Sequence, residues 1–359
     1  MNKLLTYKGL SSILAFSLFA FLALRPNPSD GAETKPVTEK TYEELVEGAK
    51  KEGKLIVWDT TKGKGKERFR SFEKKYPFIK IEQALVHSDE VIQKLIMESR
   101  AGRAPSGDVI ACNKVSFELG KKEGVFMSFP WRKVFKEIPS QAIDKTNSGV
   151  GAYGNIWTMA YNTKLVAKEK LPKTYEDLLS PEWKGKLGAD VRVQPWTYIL
   201  AAGAWSLEKG EDYVRRLREN KPKFGRGGSA IAQLLIAGDF QIAPVYLYNI
   251  IDARATGAPI DWIPMEPFGG DIAGRIIPKG APHPNAAVLY LGWAASPEGQ
   301  KAFEQADGRA LPYEGLGTVM AKMLAGKKLG VVGWEDSSEK ALKADEIQDR
   351  LMEILGTKK

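Results

Sequence analysis

The sequence predicts an α/β protein made of two lobes, and three observations predict it. Short β-rich apolar runs alternate with helical spacings along most of the chain. Such alternation implies mostly parallel, doubly wound sheets. The 359 residues exceed the roughly 100–200 that one domain usually holds, which favours two cores. Two turn-rich stretches, 129–155 and 264–270, divide the chain and read as crossings between lobes. The elements divide as 41–151 plus 270–359 for lobe one and 152–269 for lobe two.

Thr41 to Glu52 carries Tyr42, Leu45, Val46 and Ala49 at helical spacing and stops at Gly53; Lys54-Leu-Ile-Val-Trp58 follows as a strand. A helix over Glu67 to Lys75 and a strand over Phe78 to Glu82 complete a β-loop-α-β unit. A capped helix from Ser88 runs to Gly102, and Asp108-Val-Ile-Ala111 reads as a buried strand. In doubly wound sheets ligands lie beyond the carboxyl ends of strands, so the loops at Asp59 to Lys62 and Cys112 to Lys114 are the first candidates for a site.

The second segment has its own alternation. Strands are expected near Trp157 to Tyr161, Gly188 to Val191, Gln241 to Tyr248 and Ile260 to Pro264. Helices are expected near Tyr175 to Leu179, Thr197 to Ser206, Glu211 to Glu219 and Ser229 to Ala237. The final hundred residues offer only one further short strand, Gly274 to Ile277, with several helices. They read as helices completing lobe one, which makes that lobe discontinuous in sequence.

At the N-terminus Lys3 and Lys8 precede an apolar run from Leu10 to Leu24, closed by Arg25, Pro26, Asn27 and Pro28. The run falls short of the roughly 20 apolar residues that span a bilayer and suits a secretory signal, 1–32. A periplasmic location is therefore expected, and no cysteine follows that would take a lipid anchor. The single cysteine, Cys112, excludes an internal disulfide framework and Cys-rich metal sites. Two histidines, His87 and His283, leave little imidazole for acid-base or metal chemistry. The net charge of +9 includes no block of five basic residues, so no nucleic-acid partner is expected.

Common catalytic signatures are missing: there is no Gly-x-Ser-x-Gly elbow, no phosphate loop ending in Gly-Lys-Ser/Thr, no His-Glu-x-x-His and no Cys-x-x-Cys. Gly63-Lys-Gly-Lys66 lacks the spacing that wraps a phosphate and reads as a solvated loop. Carboxylate pairs such as Glu43 and Glu44 fall on polar helix faces. Two stretches carry more. Gly225-Arg-Gly-Gly-Ser229 enters a helix, so Arg226, Ser229 and free helix N–H groups either converge on an anion or merely cap the helix. Val245-Tyr-Leu-Tyr248 sets Tyr246 and Tyr248 on one side of a strand, facing either a cleft or a half-buried sheet face.

Five segments occur in one order along the chain: Phe72-Glu-Lys-Lys-Tyr-Pro77, Ala160-Tyr-Asn-Thr-Lys-Leu-Val166, the stretch from Leu171 to Lys186, Ile236-Ala-Gly-Asp-Phe240 and Ala295-Ser-Pro-Glu-Gly-Gln300. In these the chain from about Thr41 onward resembles periplasmic solute-binding proteins of ABC importers, of the branch with ferric-ion, thiamine and polyamine binders. The resemblance implies the type II periplasmic binding protein fold, two doubly wound lobes joined by two hinge crossings with an interlobe ligand cleft. It also implies a monomer that hands its ligand to a membrane ABC permease, with no cofactor and no catalysis. Ferric binders of this branch use two adjacent tyrosines; here Leu247 separates Tyr246 from Tyr248, and only Tyr248 sits on the pattern.

Phenolate oxygens are hard donors for Fe3+, so Tyr246 and Tyr248 are the metal candidates if the ligand is ferric ion. The preferred expectation is a small organic anion, a carboxylate or phosphonate, held by Thr60, Thr61, Asn113, Arg192, Thr197, Arg226 and Ser229, with Trp196, Tyr246 and Tyr248 as walls. Bending is expected near Gly149 to Asn155 and Pro264 to Gly270. A secreted α/β hydrolase or transferase is the competing reading, disfavoured by the scarcity of histidine. An effector domain of a transcription regulator is disfavoured by the export signal and the lack of a helix-turn-helix segment.

Overall fold

In the computed structural model, which describes residues 35–86, 88–334, 336 and 338–358, the first helix starts where side chains replace missing backbone partners. Thr41 Oγ1 accepts the Glu44 N–H while a Glu44 carboxylate oxygen accepts the Thr41 N–H, a reciprocal capping box that opens the helix Tyr42–Glu52. Gly53 at φ 70° ends it in the left-handed region, where a Cβ would be strained. The expected signal segment and His87 lie outside the described residues.

Strand β1 (Lys54–Asp59) lies between β2 (Lys80–Leu85) and β3 (Val109–Cys112), parallel to both. Parallel pairing puts the carboxyl ends of β1 and β3, and the loops after Asp59 and Cys112, on one edge. The chain then adds β4 (Gly149–Asn162), β5 (Gly188–Asp190), β6 (Lys223–Gly225), β7 (Ile242–Tyr246), β8 (Ile260–Ile263), β9 (Phe268–Ile276) and β10 (Leu329–Val332). The main sheet runs β2-β1-β3-β9-β4-β7, with β10 on β9 and β8 on β4; β5 and β6 pair separately and in parallel.

The mostly parallel arrangement expected holds for β1 to β3, β5 with β6 and β9 with β10, while β9 and β4 run antiparallel to their other neighbours. The reason is that β4 and β9 are long and serve two groups of strands. The first half of β4 pairs with β9, Gly149 opposite Ile276 through Ile156 opposite Gly270. Its second half pairs with β7 on one side and β8 on the other. Both turn-rich stretches therefore end inside strands, because glycine extends as readily as it turns. In β4 the register shifts between Gly151 and Tyr153. The Ala152 carbonyl at this bulge accepts a hydrogen bond from Gln300 at 2.9 Å.

The apolar side chains segregate. One cluster gathers Leu45, Val57, Phe72, Val109 and Ile276 with the helix Pro284–Ala294, buried from Asn285 to its end. Its centre is aromatic: Phe72 packs on Tyr76, Tyr290 and Trp293 at ring distances of 4.8, 5.1 and 5.4 Å. Two others hold Trp196, Val214 and Leu217, and Ile156, Leu235 and Val245. The C-terminal helix Ser338–Leu355, expected to complete lobe one, instead places Ala341, Ala344, Ile347 and Leu351 in the cluster of Trp196. Its polarity pattern specifies a buried face but not which core receives it.

Further differences are local. Tyr175 to Leu179 forms a single 3-10 turn, Glu176–Leu179. The helix expected at Thr197 to Ser206 is Gln194–Ala201. The strand through Tyr248 stops at Tyr246, and Tyr248 belongs to the helix Leu247–Ala255. Gly63–Lys66 is a 3-10 turn rather than a free loop; Gly65 is buried where a Cβ would lie 2.7 Å from the Asp307 carboxylate.

Candidate functional site

Beyond the carboxyl ends of β1 and β3 lie three adjoining cavities. One of about 230 Å³ is walled by Asp59, Thr60, Thr61, Asn113, Tyr153 and Asp271, among others. A second of about 170 Å³ shares Thr60, Thr61 and Tyr153 with it and adds Lys62, Arg68, Asp307 and Arg309. A third of about 220 Å³ shares Asn113 and Asp271 with the first and reaches Gln194, Thr197 and Tyr198. Residues from β1, β3, β4, β9 and the helix Gln194–Ala201 thus meet along one trough.

Asp59, at the end of β1, organises its head. The carboxylate accepts from the Thr61 N–H at 3.0 Å, the Thr61 hydroxyl at 2.6 Å and Gln83 at 2.7 Å. It also pairs with Arg275 of β9 at 3.0 Å, both side chains being almost wholly buried. Burial by itself raises the Asp59 pKa, but Arg275, Thr61 and Arg68 together outweigh it and hold the carboxyl below its usual value. Arg68 comes from the helix Glu67–Lys75, is 3% exposed, and donates through Nη2 to the Thr61 hydroxyl. Its Nε and Nη1 have no hydrogen-bond partner among the described residues. Burial and the neighbouring Arg275 both lower its pKa, the mark of a cation-rich place.

Arg309 pairs with Asp307 and stands over two rings, 4.5 Å from the centroid of Tyr248 and 5.3 Å from that of Tyr153. Although burial lowers its pKa, Tyr248, Tyr153 and Asp307 reverse this and keep it charged. Tyr248 stacks on Tyr246 at 5.0 Å, and Tyr246 packs at a tilt on Trp157 at 4.2 Å. Burial pushes both phenols up, so they are neutral at ordinary pH. Asp271, on β9, faces Asn155 and Tyr198, and burial raises its carboxyl to about 6.

Of the ten residues singled out by sequence, Thr60, Thr61, Asn113 and Thr197 line these cavities. Tyr246 and Tyr248 are brought beside them, though not through strand alternation: one closes β7 and the other opens a helix. The anion seat at Gly225 to Ser229 is filled from within. Buried Asp190 accepts the Gly227 N–H at 3.3 Å and lies 3.5 Å from Arg192. Gly227, not Ser229, caps the helix Gly228–Ala237, and the Ser229 hydroxyl bonds to Asn249. Arg226 is exposed at the end of β6. Trp196 is 1% exposed and packs on Tyr213, so it is core rather than a cavity wall.

The sequence reading missed Arg68, Tyr153, Asp271, Arg275 and Arg309. Asp59 stood in a loop already singled out, but Arg275 reaches it across 216 positions, and no local pattern signals such a pair. His283 Nδ1 lies 2.8 Å from buried Asp108, away from the cavities. Among the described residues no group of three or more His, Cys, Asp or Glu is arranged to hold a metal, and no helix is long and apolar enough to cross a membrane.

Comparison with known proteins adds to this geometry. The family model described as bacterial extracellular solute-binding protein matches residues 36–301. An Fe(3+)-binding periplasmic protein of Serratia marcescens is 26% identical over 179 residues, 45% of this chain and 51% of its own length. The chain spans about half the length of the curated relatives it matches. Among solved structures, the periplasmic binding protein AfuA of Actinobacillus pleuropneumoniae, with exogenous fructose-6-phosphate bound, superposes with a TM-score of 0.62. It is 23% identical, covering 84% of this chain and 97% of its own. Iron-bound HitA of Pseudomonas aeruginosa gives a TM-score of 0.63 at 18% identity, covering 84% and 99%.

Proposed function

The chain belongs to the bacterial extracellular solute-binding protein family, and from that premise we propose that it captures a small organic anion outside the cytoplasm and delivers it to an ABC-type permease. One observation carries the choice of anion: Arg68, Arg309 and Lys62 surround a cavity that holds a single carboxylate, Asp307, already paired to Arg309. An anion entering there replaces water around cations that the fold has partly desolvated, and the Thr60 hydroxyl orients it. The protein acts as a monomer without chemical turnover. The two crossing strands, β4 and β9, are its hinge between a body built on β1 to β3 and one built on β7 and β8. Ligand contact with both bodies favours the closed form, since a ligand shifts such an equilibrium only through its differential affinity.

A second reading rests on the stacked phenols of Tyr246 and Tyr248 and on the iron-binding relatives: ferric ion as cargo. Arg309 over the Tyr248 ring opposes it, because a guanidinium at that distance repels a trivalent cation. Native mass spectrometry of protein taken from its source, followed by thermal-shift measurements with small organic acids and ferric salts, separates the two. The expected result is stabilisation by organic acids, about 2.7 kcal/mol at a hundredfold excess over Kd. A red tyrosinate-iron species with no response to acids reverses the assignment. Combined Tyr246→Phe and Tyr248→Phe should weaken binding; unaltered affinity removes both tyrosines from the site.

A further inference from the structure

The trough is electrically lopsided. At one end Arg309 is neutralised by Asp307, and Arg275 by Asp59. That leaves Arg68 and Lys62, neither of which makes an ion pair among the described residues, and Arg68 has two buried donor nitrogens without partners. At the other end stands Asp271, which lines both remaining cavities and faces only the neutral side chains of Asn155 and Tyr198 at hydrogen-bonding range. Tyr153, Thr60 and Thr61 lie where the cationic cavity meets the one that contains Asp271.

We propose that the solute is a small zwitterionic acid, its phosphonate or carboxylate group set against Arg68 and Lys62 and its ammonium group against the Asp271 carboxylate. The assignment rests on the capture of an organic anion and narrows its class. Each half answers a charge the fold leaves uncompensated. A carboxylate that makes no ion pair is costly to bury, and Arg192, paired to Asp190 and acting on Asp271 only at longer range, does not prevent its upward shift; an ammonium group removes that cost. Opposed charges also exclude relatives that carry only one of them, since the unmatched end stays desolvated and unpaired.

Isothermal titration calorimetry of the purified protein with two matched pairs tests this: ethylphosphonate against 2-aminoethylphosphonate, and propionate against β-alanine. In at least one pair the aminated acid is expected to bind tenfold or more tighter than its plain counterpart. Asp271→Asn should collapse that ratio to about twofold or less. Lys62→Met, a change at an exposed position, should weaken both members and preserve the ratio. Circular dichroism and melting curves confirm that each variant is folded. Equal affinities within both pairs, no binding by any of the four, or a ratio that survives Asp271→Asn overturns the proposal. Equal affinities leave anion capture standing, whereas a protein that ignores every organic acid and binds ferric ion overturns capture of an organic anion as well.

Discussion

At Asp59 burial and pairing act in opposite directions, and pairing prevails. Its carboxyl titrates below the usual value, so the folded protein holds the ionised form more tightly than the unfolded chain does. The stability this contributes is present above the unfolded pKa of about 3.9 and is lost as pH falls through the lower folded value. Asp59→Asn leaves Arg275 buried without its counter-ion and is expected to cost about 3–5 kcal/mol at pH 7. Denaturant unfolding from pH 2 to 7 checks this; the gap between variant and parent should shrink toward the acid end.

Asp271 behaves oppositely. Its carboxyl is raised to about 6, so the folded state binds the proton more tightly. Stability therefore falls as pH rises from about 4 to 6, by about 3 kcal/mol at most. Asp271→Asn removes that loss. The variant is expected to melt higher than the parent at pH 7 to 8 without ligand, with the difference diminishing below pH 4. A constant difference across that range contradicts the assignment.

Among the elements, the crossing strands show the tightest constraint. Trp334 lies over them at two glycines: a Cβ on Gly274 would fall 1.8 Å from the indole and one on Gly149 2.3 Å. The ring is buried, stands against Phe117 at 4.5 Å, and donates through Nε1 to the Ile272 carbonyl at 2.9 Å. Glycine is needed there for close approach rather than for a turn. Gly274→Ala must displace the indole, and about 1–3 kcal/mol of destabilisation is expected from overpacking. Chemical denaturation together with tryptophan emission checks it; unaltered stability means the ring moves freely.

For the whole molecule, the proposed capture between two bodies implies motion. The trough is walled by β1 and β3 on one side and by the helix Gln194–Ala201 on the other, and ladders of β4 and β9 join the two groups of strands. The proposed closure, by bending in these strands, is of the hinge type. Small-angle scattering is expected to give a smaller radius of gyration when the protein is saturated with its organic acid. The same curve with and without bound ligand contradicts hinge closure and leaves capture by a rigid trough.

The sequence by itself determined the α/β class, most of the strands and helices through β3, and the loops after β1 and β3 whose Thr60, Thr61 and Asn113 line cavities, as Thr197 does. These follow from periodicity, caps and the rule for strand ends, all of which act over a few residues. Only the tertiary structure decided which charges remain unpaired. Asp190 cancels the anion seat suggested near Ser229, Asp59 claims Arg275, and Asp271 is left without an ion pair among the described residues. It also decided that Trp196 is core, since the helix Gln194–Ala201 is apolar on most of its faces and its pattern does not tell which side chain turns inward. The physical reason is range: local propensity acts between neighbours along the chain. Charge pairing and burial act between neighbours in space, here up to 216 positions apart, and strand order and register alone bring those together.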